Sequence, residues 1–137
     1  MKRSVAASIA GSLILISTMS ENTFAIKEFG DAFKTKYVDA STSESFKMLV
    51  SEAKCNVCHV DGEDKKKIRN PYGDAIDKKG LEAKEYKALL KSNPVKAKEQ
   101  IEKIFSDIEE MKAEWSDKTF GERIKDGKLP GGDVKGR

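Results

Sequence analysis

Apolar residues recur at helical spacing along most of the chain, and no run alternates as a half-buried strand would. The longest such run lies between Pro94 and Ala113, where one stripe contains Val95, Ala97, Ile101, Ile104, Phe105, Ile108 and Met111. Asn93 comes just before Pro94, which is the signal of an N-cap followed by proline at the first helical position. The pattern predicts a long amphipathic helix here and an all-α fold for the chain.

Shorter segments with the same periodicity flank this helix. They cover residues 26–37, 46–53, 81–91 and 119–127. Ser41 with Glu44, and Thr119 with Glu122, have the form of capping boxes that begin two of these helices. The sequence from Asn70 to Gly73 predicts a turn, and the segment after Leu129 predicts a mobile C-terminal tail.

The first 25 residues have the pattern of a secretory signal. A basic start, an apolar stretch from Val5 to Ser17 and the cleavage-like Thr23-Phe24-Ala25 follow in order. We expect cleavage after Ala25, which leaves one exported, periplasmic domain of residues 26–137 with a core at about 41–126. A membrane anchor is the alternative, but it needs about twenty apolar residues and polar ones return at Ser17. Without the leader we expect no stable membrane insertion.

The chain carries 26 basic and 23 acidic side chains, and the two kinds are interleaved. This balance gives no support to nucleic-acid binding. The local run from Lys65 to Arg69 is basic and is open to two interpretations, a patch that steers an acidic redox partner or a solvated loop.

The run Cys55-Asn56-Val57-Cys58-His59 has the C-x-x-C-H form by which c-type haem is attached. It contains the only two cysteines and the only histidine of the chain. A structural zinc site needs four protein ligands, so this run alone does not supply one. A simple disulfide remains an alternative. We predict one covalent haem c held by Cys55 and Cys58, with His59 as the iron ligand.

With this motif near the start of the mature chain, the sequence resembles the small monohaem cytochromes c of class I, over roughly residues 41–115. Pro71 lies twelve residues after His59, where the family has a proline whose carbonyl accepts the Nδ1 proton of the proximal histidine. The resemblance implies that role for Pro71, and it implies that Tyr72 lies close to the porphyrin. It also implies electron transfer with a redox protein as partner.

The sixth iron ligand is where the chain departs from that family. No methionine and no second histidine occur between Val60 and Asn93. Met111, Met48, Tyr72, a lysine or an open position remain as candidates. Met48 and Met111 also fit as core residues of their helices.

Two functions are therefore open. The first is a periplasmic electron carrier. The second is a haem protein that binds NO or CO at an open position, as one subunit of a complex, with the aromatic residues Phe29, Phe33 and Tyr37 helping to enclose the site. The same stripe is also explained as ordinary core. We do not expect an enzyme, because a peroxidase needs distal acid–base groups and no distal histidine is available.

Overall fold

The computed structural model describes residues 27–65, 67–80 and 83–135, so the predicted signal segment of residues 1–25 lies outside the described residues. Within these ranges the regular structure is helical, apart from one isolated antiparallel bridge between His59 and Arg69. The all-α prediction is confirmed for this part of the chain. None of the helices described here combines the length and the apolar character needed to cross a membrane.

Six α-helices follow one another in the described residues. They are α1 (Lys27–Phe33), α2 (Glu44–Ala53), α3 (Pro71–Lys78), α4 (Ala83–Ser92), α5 (Pro94–Glu109) and α6 (Phe120–Lys125). A π-helical turn, Lys34–Val38, continues α1, and a 3-10 turn, Lys54–Val57, continues α2.

Helix α5 is the centre of the fold, because α1, α3, α4 and α6 all pack against it. Its buried face consists of Ala97, Ile101, Ile104, Phe105 and Ile108, as the periodicity predicts. The prediction is wrong at the two ends of the stripe, because Val95 and Met111 are exposed. The helix ends at Glu109, four residues before the predicted end, and the chain turns as the Met111 amide donates to the Ile108 carbonyl.

An aromatic cluster fills the space between α5 and the elements around it. Its members are Phe33, Tyr37, Tyr72, Phe105 and Phe120. Neighbouring rings lie 4.9 to 6.5 Å apart between centroids, most of them tilted or edge to face, which is the range in which aromatic pairs attract.

The predicted caps are confirmed at two helices and wrong at a third. Asn93 caps α5, and Thr119 with Glu122 forms both hydrogen bonds of a capping box at α6. At α2 the cap is Ser43, whose hydroxyl accepts from the Phe46 amide. Ser41 instead accepts from the Ser43 amide, two residues before the position that caps the helix.

The C-terminal segment is packed onto the domain in its described part, whereas the sequence predicts a mobile tail. Leu129 is 3% exposed and Pro130 is fully buried. The Leu129 carbonyl accepts a hydrogen bond from Arg123 at 3.0 Å, and the Val134 carbonyl accepts from the Asp61 amide at 2.7 Å. Small and apolar residues at these positions are covered by α6 and by the loop after the C-x-x-C-H run, contacts that no local pattern reveals.

Candidate functional site

A cavity of about 640 Å³ lies between α1, α2, α3 and the C-x-x-C-H run. Its apolar lining consists of Phe29, Phe33, Val38, Val50, Val57, Ile76 and Ala83. Sites for small molecules and cofactors have volumes of roughly 300–1,000 Å³ and mostly apolar walls. This cavity therefore has the size and the lining of a cofactor site.

All three chemically reactive residues of the motif line this cavity. Cys55 is exposed, Cys58 is half-buried and both are free thiols, while His59 is 4% exposed. The 3-10 turn that begins at Lys54 brings them there. Lys54 has a backbone φ of +50°, in a region that residues other than glycine rarely adopt. The sharp bend ends α2 and turns the motif away from its axis.

The imidazole of His59 is held through Nδ1, which donates to the Ile68 carbonyl at 3.1 Å. A carbonyl only accepts, so this hydrogen bond assigns the proton to Nδ1 and leaves the Nε2 lone pair for a ligand. Burial lowers the pKa of His59, and the charges of Arg69 and Lys65 lower it further against the opposing effect of the Ile68 hydrogen bond. The ring is therefore neutral at physiological pH, the form that binds metal.

The acceptor predicted from the resemblance, the carbonyl of Pro71, does not have this role. The bridge between His59 and Arg69 places the neighbouring Ile68 carbonyl at the ring instead. Pro71 is the first residue of α3 and does not line the cavity. The spacing from His59 agrees with the family, but the local path of the chain differs.

Cys58 is the more enclosed of the two thiols. Burial raises its pKa to about 12, the Cys55 group adds to the shift, and the Arg69 charge opposes it. The thiol is therefore neutral at physiological pH. Among the described residues, no group of three or more His, Cys, Asp or Glu side chains is arranged to hold a metal ion, so a four-ligand zinc site has no support.

Asn70 holds the motif in place, and the sequence analysis missed it. Its side-chain amide donates to the carbonyls of Val57 at 3.0 Å and Asn56 at 3.3 Å. Its side-chain oxygen accepts from the amides of Tyr72 and Gly73, which caps α3. Asn70 is 1% exposed, so each of these hydrogen bonds replaces one to water. The sequence contains a signal for this role, because Asn70-Pro71 repeats the pattern of an N-cap followed by proline seen at Asn93-Pro94. The segment was nevertheless predicted to be a turn.

Two glycines allow the backbone to approach Asn70 and the C-x-x-C-H run closely. A Cβ at Gly73 would overlap the carbonyl oxygen of Cys58, and a Cβ at Gly131 would overlap the side chain of Asn70. Gly73 thus permits α3 to lie against the motif, and Gly131 brings the C-terminal segment onto the other side of Asn70. The motif is enclosed by residues from distant parts of the chain.

Of the other predicted ligands, the structure brings only lysines to the cavity, and not Tyr72, Met48 or Met111. Tyr72 is completely buried in the aromatic cluster, and Met48 and Met111 are 62% and 36% exposed. None of these three lines the cavity. Of the predicted aromatic cover, Phe29 and Phe33 do line it and Tyr37 does not. Among the described lining residues there is no methionine, and His59 is the one histidine.

Cations outnumber anions around the cavity. Its charged lining consists of Lys27, Lys34, Lys47, Lys54 and Arg69, against Asp31 and Asp77. Both aspartates are paired, Asp31 with Lys27 at 3.2 Å and Asp77 with Arg69 at 3.2 Å. The excess positive charge suits a ligand that is apolar and also carries carboxylates. Of the described residues in the predicted basic loop from Lys65 to Arg69, Arg69 alone is part of this lining.

The donor set, the cavity and its charge fit a c-type haem. Two thiols lie beside a neutral imidazole with a free Nε2, at the wall of an apolar cavity with a cationic surround. Comparisons with known proteins add nothing to this geometry. No family model matches the chain, and no curated protein or solved structure matches it significantly.

Proposed function

We propose that this protein is an exported monohaem c-type cytochrome that works in electron transfer. Cys55 and Cys58 form thioether bonds to the haem vinyl groups, and His59 binds the iron through Nε2. The haem, once bound, supplies a one-electron couple between ferric and ferrous iron. Phe29, Phe33 and Ile76 cover it and exclude water, and the cations of the lining offset the charge of its carboxylates.

The observation that carries this proposal is that both thiols and the imidazole of the motif lie at one cofactor-sized apolar cavity. A C-x-x-C-H run on a solvent-exposed loop would be a coincidence of sequence. Here the same run is held by Asn70, and the histidine tautomer is set by Ile68. Such an acceptor increases the basicity of the imidazole and orients it for a metal.

The test is the intact mass of the exported protein, expressed together with the machinery that attaches c-type haem. We expect the mass of the chain from Ile26 plus one haem. For a Cys55→Ala, Cys58→Ala double variant we expect the mass of the variant chain alone, because it cannot bind haem covalently. Wild-type protein that carries no haem under these conditions would contradict the proposal.

The second candidate function is binding of a small gas, NO or CO, at the iron. It is favoured by one observation, the absence of methionine and of a second histidine from the described lining of the cavity. An iron without a strong sixth ligand lets such gases compete, whereas methionine ligation raises the potential and closes the position.

Optical spectra of the ferric and ferrous protein, with and without CO, separate the two functions. We expect CO to bind readily, and we expect no near-infrared charge-transfer band of the kind that marks ferric Met–His ligation. Such a band, lost in Met111→Ala or Met48→Ala, would remove the gas-binding candidate and leave the electron carrier. In either case we propose a redox protein as the partner, docked where the exposed Cys55 marks the edge of the cavity.

A further inference from the structure

Tyr37 is a phenol held against a carboxylate. Its hydroxyl donates to Glu109 Oε1 at 2.7 Å, and it lies 3.4 Å from the carbonyl of Phe105. Charge-assisted hydrogen bonds of this length are the strong ones. Burial raises the pKa of Tyr37, and the hydrogen bond to Glu109 raises it further, so the phenol keeps its proton at physiological pH. An electron can therefore leave this ring easily only if the proton leaves with it.

The acceptor for that proton is in place. Lys36 Nζ lies 3.4 Å from Glu109 Oε1 and donates to the Ser106 hydroxyl at 2.8 Å. A carboxylate oxygen is an acceptor and can take up the proton. Glu109 and Lys36 are both partly exposed, so the proton can be passed on to water.

The Tyr37 ring is one aromatic ring away from the cavity. Phe33 lines the cavity, and its ring lies 4.9 Å from that of Tyr37, one turn further along the same helical segment. Electron transfer falls off steeply with distance, so a donor at this separation competes well with more remote ones. The π-helical turn Lys34–Val38 contains Tyr37, and such turns are frequent at functional sites.

The other tyrosines described here are not hydrogen-bonded to a carboxylate. The Tyr72 hydroxyl is buried without a hydrogen-bond partner. Tyr86 packs 5.0 Å from Phe29, and burial and the Glu28 charge raise its pKa, but Glu28 Oε2 has no hydrogen-bond partner. Trp115 is not part of the aromatic cluster and does not line the cavity. Among the described tyrosines, Tyr37 is the one whose hydroxyl donates a hydrogen bond to a carboxylate.

We propose that Tyr37 is a redox-active tyrosine that takes one oxidising equivalent from the haem when peroxide reacts there. The inference rests on the proposed function and adds an activity to it. Hydrogen peroxide is reduced to water as it oxidises the haem above the ferric state. Tyr37 then gives one electron to the oxidised haem, its O–H bond breaks, and the proton forms a new O–H bond on Glu109. Peroxide takes two electrons, so one oxidising equivalent moves to Tyr37 and the other stays at the haem. The products are a neutral tyrosyl radical, a carboxylic acid and a haem still one electron above the ferric state.

The experiment mixes the haem-loaded protein with one equivalent of hydrogen peroxide, freezes it and records the electron paramagnetic resonance spectrum. We expect a tyrosyl signal that narrows when the protein is made with ring-deuterated tyrosine. Tyr37→Phe should abolish it. Glu109→Gln keeps a hydrogen-bond acceptor but removes the base, so we expect the yield to fall at least about tenfold, as for loss of a general base.

Tyr72→Phe and Tyr86→Phe are the matched controls, and each should leave the signal within about twofold of wild type. A signal that survives in Tyr37→Phe, or one that disappears in Tyr72→Phe alone, would overturn the inference. The absorption spectrum of each variant reports whether the haem site is intact. Intact mass separates failure of the Tyr37 inference from failure of the proposed function. A chain with haem but no radical contradicts only the inference, whereas a chain without haem contradicts the proposed function as well.

Discussion

Asn70 shows how one buried amide can hold a whole motif in place. It bonds two carbonyls of the C-x-x-C-H run and two amides of α3, and the backbone amide of Asn70 itself donates to the Cys58 carbonyl at 3.0 Å. No other described side chain joins the motif to a helix by as many hydrogen bonds. The position of the two thiols relative to His59 therefore depends on a residue outside the motif.

We predict that Asn70→Ala lowers the free energy of unfolding by about 3 kcal/mol, because it leaves buried carbonyls and amides without partners. Asn93→Ala is the matched control. Asn93 also precedes a proline and caps a helix, but it makes one side-chain hydrogen bond, to the Lys96 amide, so its loss should cost about 1 kcal/mol. Urea unfolding followed by circular dichroism measures both, and equal losses would show that Asn70 is only a helix cap.

For single residues, the sequence identifies the groups that carry chemistry but not the groups that position them. Cys55, Cys58 and His59 were recognisable because their spacing is chemically restrictive. The Ile68 carbonyl was not, because any residue has a carbonyl and only the path of the chain selects one. Pro71 had the expected spacing and still lies outside the cavity, since the bridge at Arg69 determines which carbonyl meets the ring.

Among the elements, the helical segment of α1 and the π-helical turn stands out because it forms one wall of the cavity and also packs on α5. Tyr37 joins the two through its hydrogen bond to Glu109. The pKa of Tyr37 is raised in the folded protein, by burial first and by Glu109 second, and that of Tyr72 is raised as well. In the unfolded chain a phenol ionises at about pH 10.

A group whose pKa is raised on folding stabilises the protein fully below the unfolded pKa and loses that contribution as the pH rises above it. We predict that wild-type protein is more stable than Tyr37→Phe near neutral pH, and that this difference shrinks as the pH is raised through about 10. Unfolding by urea at a series of pH values from neutral to alkaline measures the difference. A difference that stays constant over this range would contradict the assignment.

The C-terminal segment is the element in which sequence and structure differ most. Glycine and proline after Leu129 are typical of a mobile tail, but Leu129 is 3% exposed and its neighbours lie against Asn70 and the loop at Asp61. Helices could be predicted because their buried residues repeat along the chain. Apart from the hydrogen bond from Arg123, the contacts of this segment are with Asn70 and Asp61, more than sixty positions away, and local patterns contain no trace of them.

We predict that Leu129→Ala lowers the free energy of unfolding by about 3 kcal/mol, as expected when a buried leucine is truncated. Lys128→Ala is the control, because Lys128 is exposed and its substitution should change stability by less than about 0.5 kcal/mol. Thermal melts of the two variants compare them directly. If both melted like wild type, the packed position of this segment would not contribute to stability.

For the whole molecule, a large apolar cavity lies between helices that are otherwise well packed. The core on α5 continues without interruption from Ala97 to Ile108, whereas the side formed by α1, α2 and the motif encloses about 640 Å³. Apolar walls this far apart make the contacts of close packing only through a ligand that lies between them. A ligand that binds only the folded chain adds its binding free energy to stability.

We predict that the chain without haem, for example the Cys55→Ser, Cys58→Ser double variant, melts at a lower temperature and less cooperatively than the haem-loaded protein. The aromatic side of the core should retain helical circular dichroism longer than the motif side. Scanning calorimetry and circular dichroism on both forms test this. A sharp transition at the same temperature in both would mean that the cavity is not stabilised by a cofactor.

For the export proposed above, the contact of Gly131 with Asn70 sets an order of events. A chain that crosses the membrane with its N-terminus first presents Cys55 and Cys58 before the segment that closes over Asn70 has emerged. Between these moments the motif lacks the last of its supports, and both thiols are more accessible than in the finished fold. The proposed attachment of haem would then be easiest before Gly131 arrives, so that the segment after Leu129 closes a site formed by residues more than sixty positions earlier.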